Sequence, residues 1–327
     1  MNCKPVLVTG GAGYIGSHVC KHLSRSGYTP VVIDNLSVGH ATAVKWGPLI
    51  KADIRDTVAV AAALERYGIE LVMHFAASAY VGESVKHPIS YYDNNVGGMI
   101  SLMKACQKGG VKKFILSSSC ATYGRPEIIP ISERAPQQPV NPYGETKLIC
   151  EHILRDVEAA HGMRFAALRY FNAAGADPEG ELSERHTPET HVIPLALMAA
   201  SGRIDQFEVY GTDYSTPDGS CIRDYIHVQD LARGHVAALA RLEAGAESFA
   251  VNLGSGKGHS VLELVALIER LCGKQLPVRY QPRREGDPPT LVADPSKARA
   301  LLDLTAERSD LETLIRDAAP SFGVEVV

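Results

Sequence analysis

The chain has no Cys-x-x-Cys pair, and its seven cysteines (Cys3, Cys20, Cys106, Cys120, Cys150, Cys221 and Cys272) are scattered and odd in number. That excludes a disulfide framework and a cysteine zinc site, and it suits free thiols in a reducing cytoplasm. Basic charge is not in excess: 33 Lys and Arg against 37 Asp and Glu leave a formal net charge of −4. Nucleic acid is therefore not an expected partner, because a nucleic-acid binder carries a basic stripe. Long apolar runs are missing too. Stretches such as Val58–Leu64 are far too short to span a bilayer, so no membrane is expected. The start, Met1-Asn2-Cys3-Lys4-Pro5, lacks the apolar core and cleavage site of a signal peptide. What remains is ordinary for a globular protein: 327 residues, 45% hydrophobic and 21% charged, enough to bury a full core without metals or disulfides.

The first half alternates short apolar runs with helical stretches. Val6–Thr9, Val31–Asp34, Leu71–Ala76, Phe114–Ser117 and Phe165–Tyr170 read as strands that are apolar on both faces. Such strands, separated by helices, predict an α/β fold: a doubly wound parallel sheet of the Rossmann type with a smaller C-terminal α/β substrate lobe. Composition shifts after Phe171-Asn172, so the first unit is placed at 1–175 and the second at 176–327, with exchange of segments between them left open. Residues 173–190, rich in Gly, Pro, Glu and Thr, read as an exposed loop. The run 281–289 reads as a polar turn.

Gly10-Gly11-Ala12-Gly13-Tyr14-Ile15-Gly16 follows the first strand and opens a helix. Gly10, Gly13 and Gly16 let the backbone approach a pyrophosphate, and the helix start supplies N–H groups and a positive dipole end. Asp34 ends the next strand, where its carboxylate can accept both hydroxyls of an adenosine ribose. Asn35 and Leu36 bring no cation to receive a 2′-phosphate, which favours NAD over NADP as cofactor. Asp53-Ile54 and Phe75-Ala76-Ala77 either line the same cofactor or pack as ordinary strand ends.

Tyr143-x-x-x-Lys147 places a phenol and an ammonium on one face of a helix. A free phenol has a pKa of about 10, and bringing it to about 7 takes roughly 4 kcal/mol, which a lysine and a bound nicotinamide cation can supply. Ser117-Ser118-Ser119 ends a strand at the carboxyl edge of the sheet, where ligands bind in such folds. The histidines pair as His18/His22 and His186/His191, with no third ligand evident, so no metal is expected.

Together, Gly10–Gly16, Asp34-Asn35-Leu36, Ser117–Ser119 and Tyr143/Lys147 resemble the extended short-chain dehydrogenase/reductases. Val81–Ser84, Tyr91–Val96, Tyr170–Asn172, Arg223–Val228 and Pro282–Asp287 narrow the resemblance to the UDP-glucose 4-epimerase family, over nearly the whole chain from Val6 to about Leu302. The resemblance implies an enzyme that inverts carbon 4 of a UDP-hexose through a transient 4-keto sugar, and a homodimer in the cytoplasm. It makes Tyr143 the base, Lys147 its activator and Ser119 a hydrogen-bond partner of the 4-hydroxyl. Tyr14, Ile15, Asn94, Ser117 and Tyr170 join the cofactor residues. Phe171, Asn172, Arg223, Arg284, Asp287 and Leu291 join Ser119 and Tyr143 as contacts of the UDP-sugar. Read alone, Arg223-Asp224 is equally a local ion pair, and Arg283-Arg284-Glu285 a solvated turn.

Three positions depart from family patterns: Ala79 in place of a lysine, His191 in place of an asparagine, and Leu291 in place of a tyrosine. The last would leave room for an N-acetyl group, so a UDP-N-acetylglucosamine or UDP-pentose 4-epimerase is the alternative. A 4,6-dehydratase or decarboxylase is disfavoured because Cys120 and Ala121, not acids, follow Ser119. A non-catalytic NAD-sensing regulator is the remote alternative, disfavoured because Tyr143 and Lys147 are both present.

Overall fold

The computed structural model describes residues 3–284 and 287–326; Glu285 and Gly286, in the turn matched to the family, lie outside the described residues. Seven parallel strands form the main sheet: β1 (Lys4–Thr9), β2 (Tyr28–Asp34), β3 (Leu49–Lys51), β4 (Leu71–His74), β5 (Lys113–Ser119), β6 (Arg164–Tyr170) and β10 (Phe249–Leu253). Their order is β10-β6-β5-β4-β1-β2-β3, so the winding reverses between β1 and β4. A crevice opens at such a reversal, beyond the carboxyl ends of the strands.

Helices cover both faces, as the unbroken apolar strands require. On one face α1 (Tyr14–Arg25), α8 (Val228–Glu243) and α10 (Ser296–Leu302) bury Val19, Leu23, Leu231, Leu239 and Leu302 against Val6, Val8 and Val251. On the other, α2 (Thr57–Tyr67), α5 (Gly98–Lys108) and α6 (Pro142–His161) bury Leu64, Met99, Leu102 and Leu154 against Leu7, Phe114 and Leu116. Two short helices, α3 (Val81–Lys86) and α4 (Pro88–Tyr91), precede a π-helical turn over Tyr92–Gly97 that runs into α5.

The smaller lobe has its own core, built on α7 (Val192–Ala200), α9 (Val261–Cys272) and α11 (Leu311–Ala318). Beside it β7 (Asn172–Ala174), β9 (Ile222–His227), β11 (Gly258–Ser260) and β13 (Thr290–Leu291) form one small sheet, and β8 (Phe207–Tyr210) pairs with β12 (Val278–Gln281).

Two sequence expectations change here. A single cut at residue 175 leaves β10, α8 and α10 with the smaller lobe, whereas pairing and packing put all three with the large sheet. The cause is apolar: Val251 and Leu253 are fully buried where β10 pairs with the β6 edge of the sheet. The segment read as an exposed loop is also partly interior. Asp177 and Glu184 are buried, the first because the fully buried Lys21 reaches it at 2.6 Å.

Candidate active site

The glycine loop is built by close backbone contact. Gly10 sits at φ 73°, and a side chain there would lie 2.6 Å from the Ala76 nitrogen, so the loop rests directly on the chain leaving β4. At Gly16 a Cβ would lie 2.3 Å from the Gly10 carbonyl, which brings α1 down onto the loop. Helix α1 starts at Gly13 with no side-chain cap and no acid in its first turn. Its N-terminal dipole is thus left for an anion. Asp34 projects to the same place, its carboxylate accepting from the Ala12 N–H (3.0 Å) and the Leu36 N–H (2.8 Å).

Other expected cofactor residues have mixed positions. The Tyr14 hydroxyl donates to the Gly175 carbonyl at 2.6 Å, so its side chain is committed within the fold. Asp53 is held by Arg55 and by the Asn35 amide, which keeps its carboxyl far below the usual range. Ile54 is buried in the core beneath α5. Asn94 donates to the Ser78 hydroxyl and to Asn95. Phe75 packs on His235, and Ala76 and Ala77 remain half-buried beside the loop.

The reaction centre forms where β5 ends and α6 begins. Asn141 caps α6 by accepting from the Gly144 N–H (2.8 Å), and Pro142 fills the first helical position, so Tyr143 and Lys147 share one helical face. A Cβ on Gly144 would lie 2.5 Å from the Ala121 carbonyl. Only glycine allows that approach, and it sets Tyr143 beside Ser119. The Lys147 ammonium donates to the Ser117 carbonyl (2.8 Å) and stands 5.8 Å from the Tyr143 ring centre.

Burial dominates the acidity of this pair. Burial pushes the Tyr143 phenol well up, with Tyr170 adding to the rise and Ser119 opposing it. Burial also lowers Lys147 to about 8, against the pull of Cys150. Both effects have one cause, since a low-dielectric pocket penalises either charge. Lys147 points at the Ser117 carbonyl rather than at the phenol.

Behind the serines lies a buried network that sequence reasoning missed. Ser118 donates to Glu151 (2.7 Å), Glu151 pairs with Arg169 (2.6 Å), and Arg169 donates to Tyr123 (3.0 Å). Ser117 bonds the Tyr170 hydroxyl. Asn95, carried inward on the π-helical turn, donates to the Ser78 carbonyl and the Thr146 hydroxyl, tying the exit of β4 to α6. Glu151 one turn beyond Lys147 on its helix was the available signal.

Across the crevice the expected sugar-nucleotide residues converge. Asn172 donates to the Asp224 carbonyl (2.9 Å). Arg223 pairs with Asp287, not with its neighbour Asp224, which instead accepts from Ser255, Gly256 and Ala293. Arg284 stacks on Tyr210 at 3.9 Å, while Arg283 is the solvated member, bound to Asp213. Leu291 is registered opposite Arg223 and packs with Phe171 and Cys120, the residue after Ser119. The paired histidines part ways. His18 donates within its own helix to the Tyr14 carbonyl and His22 meets Gln229, while His186 and His191 come together with Glu184 and Glu189. The run Glu-x-His-x-x-Glu-x-His, overlooked when histidines alone were counted, was the signal for that cluster.

Residues 6–254 match the model of the NAD dependent epimerase/dehydratase family. A UDP-glucose 4-epimerase of Rhizobium meliloti (strain 1021) is 54% identical over 302 residues, 92% of each chain. The UDP-glucose 4-epimerase of Brucella ovis in complex with NAD superposes with a TM-score of 0.97 at 56% identity, covering 99% of this chain and 100% of that one. The UDP-glucose 4-epimerase of Bifidobacterium longum in complex with NAD+ and UDP superposes with a TM-score of 0.92 at 39% identity, covering 97% of each.

Proposed function

The chain belongs to the NAD dependent epimerase/dehydratase family, and from that premise we infer that it is an NAD-dependent epimerase acting on carbon 4 of a UDP-hexose, interconverting UDP-glucose and UDP-galactose. The observation that carries this reading is the meeting of Tyr143, Ser119 and Lys147 at the carboxyl edge of the sheet, facing the glycine loop across the crevice. The residues fit NAD: an uncapped helix start for the pyrophosphate, Asp34 for the adenosine ribose, and no cation on Asn35 or Leu36 for a 2′-phosphate.

NAD held there would supply a reversible hydride acceptor for carbon 4. Tyr143 takes the proton of the 4-hydroxyl and later restores it. Ser119 holds that hydroxyl by hydrogen bond. Lys147, anchored on the Ser117 carbonyl, places positive charge near the phenol and would help hold the nicotinamide ribose. Arg223 and Arg284 hold the diphosphate, for which a planar guanidinium fork is suited. Their grip lets the 4-keto sugar turn about that link, so Tyr143 and Ser119 meet its other face. Asp287 then exchanges Arg223 for ribose hydroxyls.

Leu291 sets how much room lies beside the sugar. The chain as purified, with no NAD added, is expected to epimerise UDP-galactose and UDP-N-acetylgalactosamine side by side in a coupled assay. Leu291→Tyr is expected to depress the N-acetylated substrate selectively, by on the order of tenfold to a hundredfold, since overpacking costs about 1–3 kcal/mol. Equal loss on both substrates would refute the pocket role. Activity appearing only with added NADP would refute the cofactor reading.

Two coarser features frame the enzyme. Among the described residues no helix is long and apolar enough to cross a membrane, and all seven cysteines are free, which supports a cytoplasmic setting. Val81, Val85, Ile89 and Ile100 are exposed together along α3–α5, which supports a homodimer through that face. Light scattering should then read twice the 35.2 kDa chain mass; a species at 35.2 kDa would reject the dimer.

A further inference from the structure

Glu184, His186, Glu189 and His191 lie on the short segment between β7 and α7, and each offers one ligand atom within 4.8 Å of the others. His186 Nδ1 stands 3.3 Å from Glu184 Oε1 and 3.6 Å from Glu189 Oε2. His191 Nδ1 stands 2.9 Å from Glu184 Oε1 and 2.8 Å from Glu189 Oε1. Zinc binds imidazole nitrogen and carboxylate oxygen at about 2.0–2.2 Å, which in a tetrahedron separates the donors by about 3.4 Å. The histidine-to-carboxylate separations, 2.8–3.6 Å, bracket that spacing.

A second observation points the same way. Glu184 is 5% exposed, yet its Oε1 takes no aligned hydrogen bond although His191 Nδ1 stands 2.9 Å away, and His186 Nδ1, 3.3 Å from the same oxygen, likewise makes no aligned bond. The aligned bonds in the cluster converge on Glu189 Oε1, from the Thr190 N–H, the His191 N–H and His191 Nδ1. Buried polar atoms are rarely left without an aligned bond, and these two stand side by side in the cluster. We propose that Glu184, His186, Glu189 and His191 form a closed, four-ligand site for a zinc ion. With no open coordination position, the site is structural.

Its place in the fold gives it a task. His186 sits edge-on to Tyr14 at 6.3 Å and to Tyr80 at 6.0 Å. The same segment closes a cavity over the glycine loop, where Leu182, Ser183 and Arg185 face Ala12 and Gly13. Zinc would fasten this segment across the pyrophosphate end of the cofactor site and fix His191, the residue that starts α7. The competing account is two imidazolium–carboxylate pairs. Burial opposes charge on either ring, but the pull of Glu184 and Glu189 outweighs it, raising His186 to about 9 and His191 to about 10.

The test reads metal, not turnover. Whole protein is stripped with a chelator, reloaded with zinc chloride, passed through gel filtration and assayed for metal. A parallel sample is loaded with cobalt chloride as a spectroscopic probe. One zinc per chain and the intense visible bands of tetrahedral cobalt are expected. Glu184→Gln and His186→Asn should each weaken zinc binding by about a hundredfold or more. The cobalt spectrum of the unmutated protein stands even where a variant fails to fold. No retained zinc with a featureless cobalt spectrum, or zinc held equally well by both folded variants, would overturn the site.

Discussion

Tyr143→Phe should reduce turnover by between about 10²- and 10⁴-fold while leaving the fold and UDP-sugar binding intact, the range typical of a lost general acid–base group. The phenyl ring keeps the packing of a side chain that is only 8% exposed, so stability should change little. Only the hydroxyl is lost, and with it the proposed acid–base group for the 4-hydroxyl. The acidity around it sharpens the expectation. Burial holds the phenol well above its ordinary value. Lys147, lowered to about 8 by burial, puts positive charge near it while protonated. Steady-state rates and UDP titrations on the variant check this. Activity within about threefold of the parent would place the base elsewhere.

The second large effect is on stability. Arg169→Leu should destabilise the chain by about 3–5 kcal/mol, because it strands the Glu151 carboxylate in the interior without its cation. Both side chains are almost fully buried, and Glu151 also receives Ser118 from the strand that carries the reaction-centre serines. The pH dependence follows from sign. Burial raises Glu151, but its bonds to Arg169, Ser118 and Gln137 outweigh that and leave its folded pKa below the ordinary 4.5. A depressed carboxylate stabilises the fold above its unfolded pKa and loses that contribution as pH falls through the folded value. The gap between wild type and variant in urea midpoint should therefore be full at pH 7 and narrow below about pH 4.5. A gap that is small at pH 7, or that widens in acid, would contradict the role given to the pair.

What could be read in the sequence was local. β1, the glycine loop, α1 and Asp34 follow one another along the chain, and the physics that joins them acts over a few residues. Tyr143 and Lys147 were legible because helical geometry converts a four-residue spacing into one face. What escaped reading depends on pieces far apart in sequence. β10 joins the sheet beside β6, across a segment that itself belongs to the other lobe. Arg223 chooses Asp287 over Asp224 because β9 and β13 run side by side, which no dipeptide pattern reveals. The same limit holds around Tyr143: spacing shows that a lysine is near, but not that its ammonium turns to the Ser117 carbonyl in a buried pocket.

The central claim is that hydride leaves carbon 4 and returns to the same sugar within one closed site. The direct measurement is isotopic: UDP-galactose carrying deuterium at carbon 4 is epimerised together with unlabelled UDP-galactose in ordinary water, and the UDP-glucose formed is examined by mass spectrometry and NMR. The account predicts that each labelled molecule keeps its deuterium at carbon 4, with none lost to water and none passed to unlabelled sugar. Deuterium washed out into solvent would mean a proton rather than a hydride is moved at carbon 4, and would contradict the account.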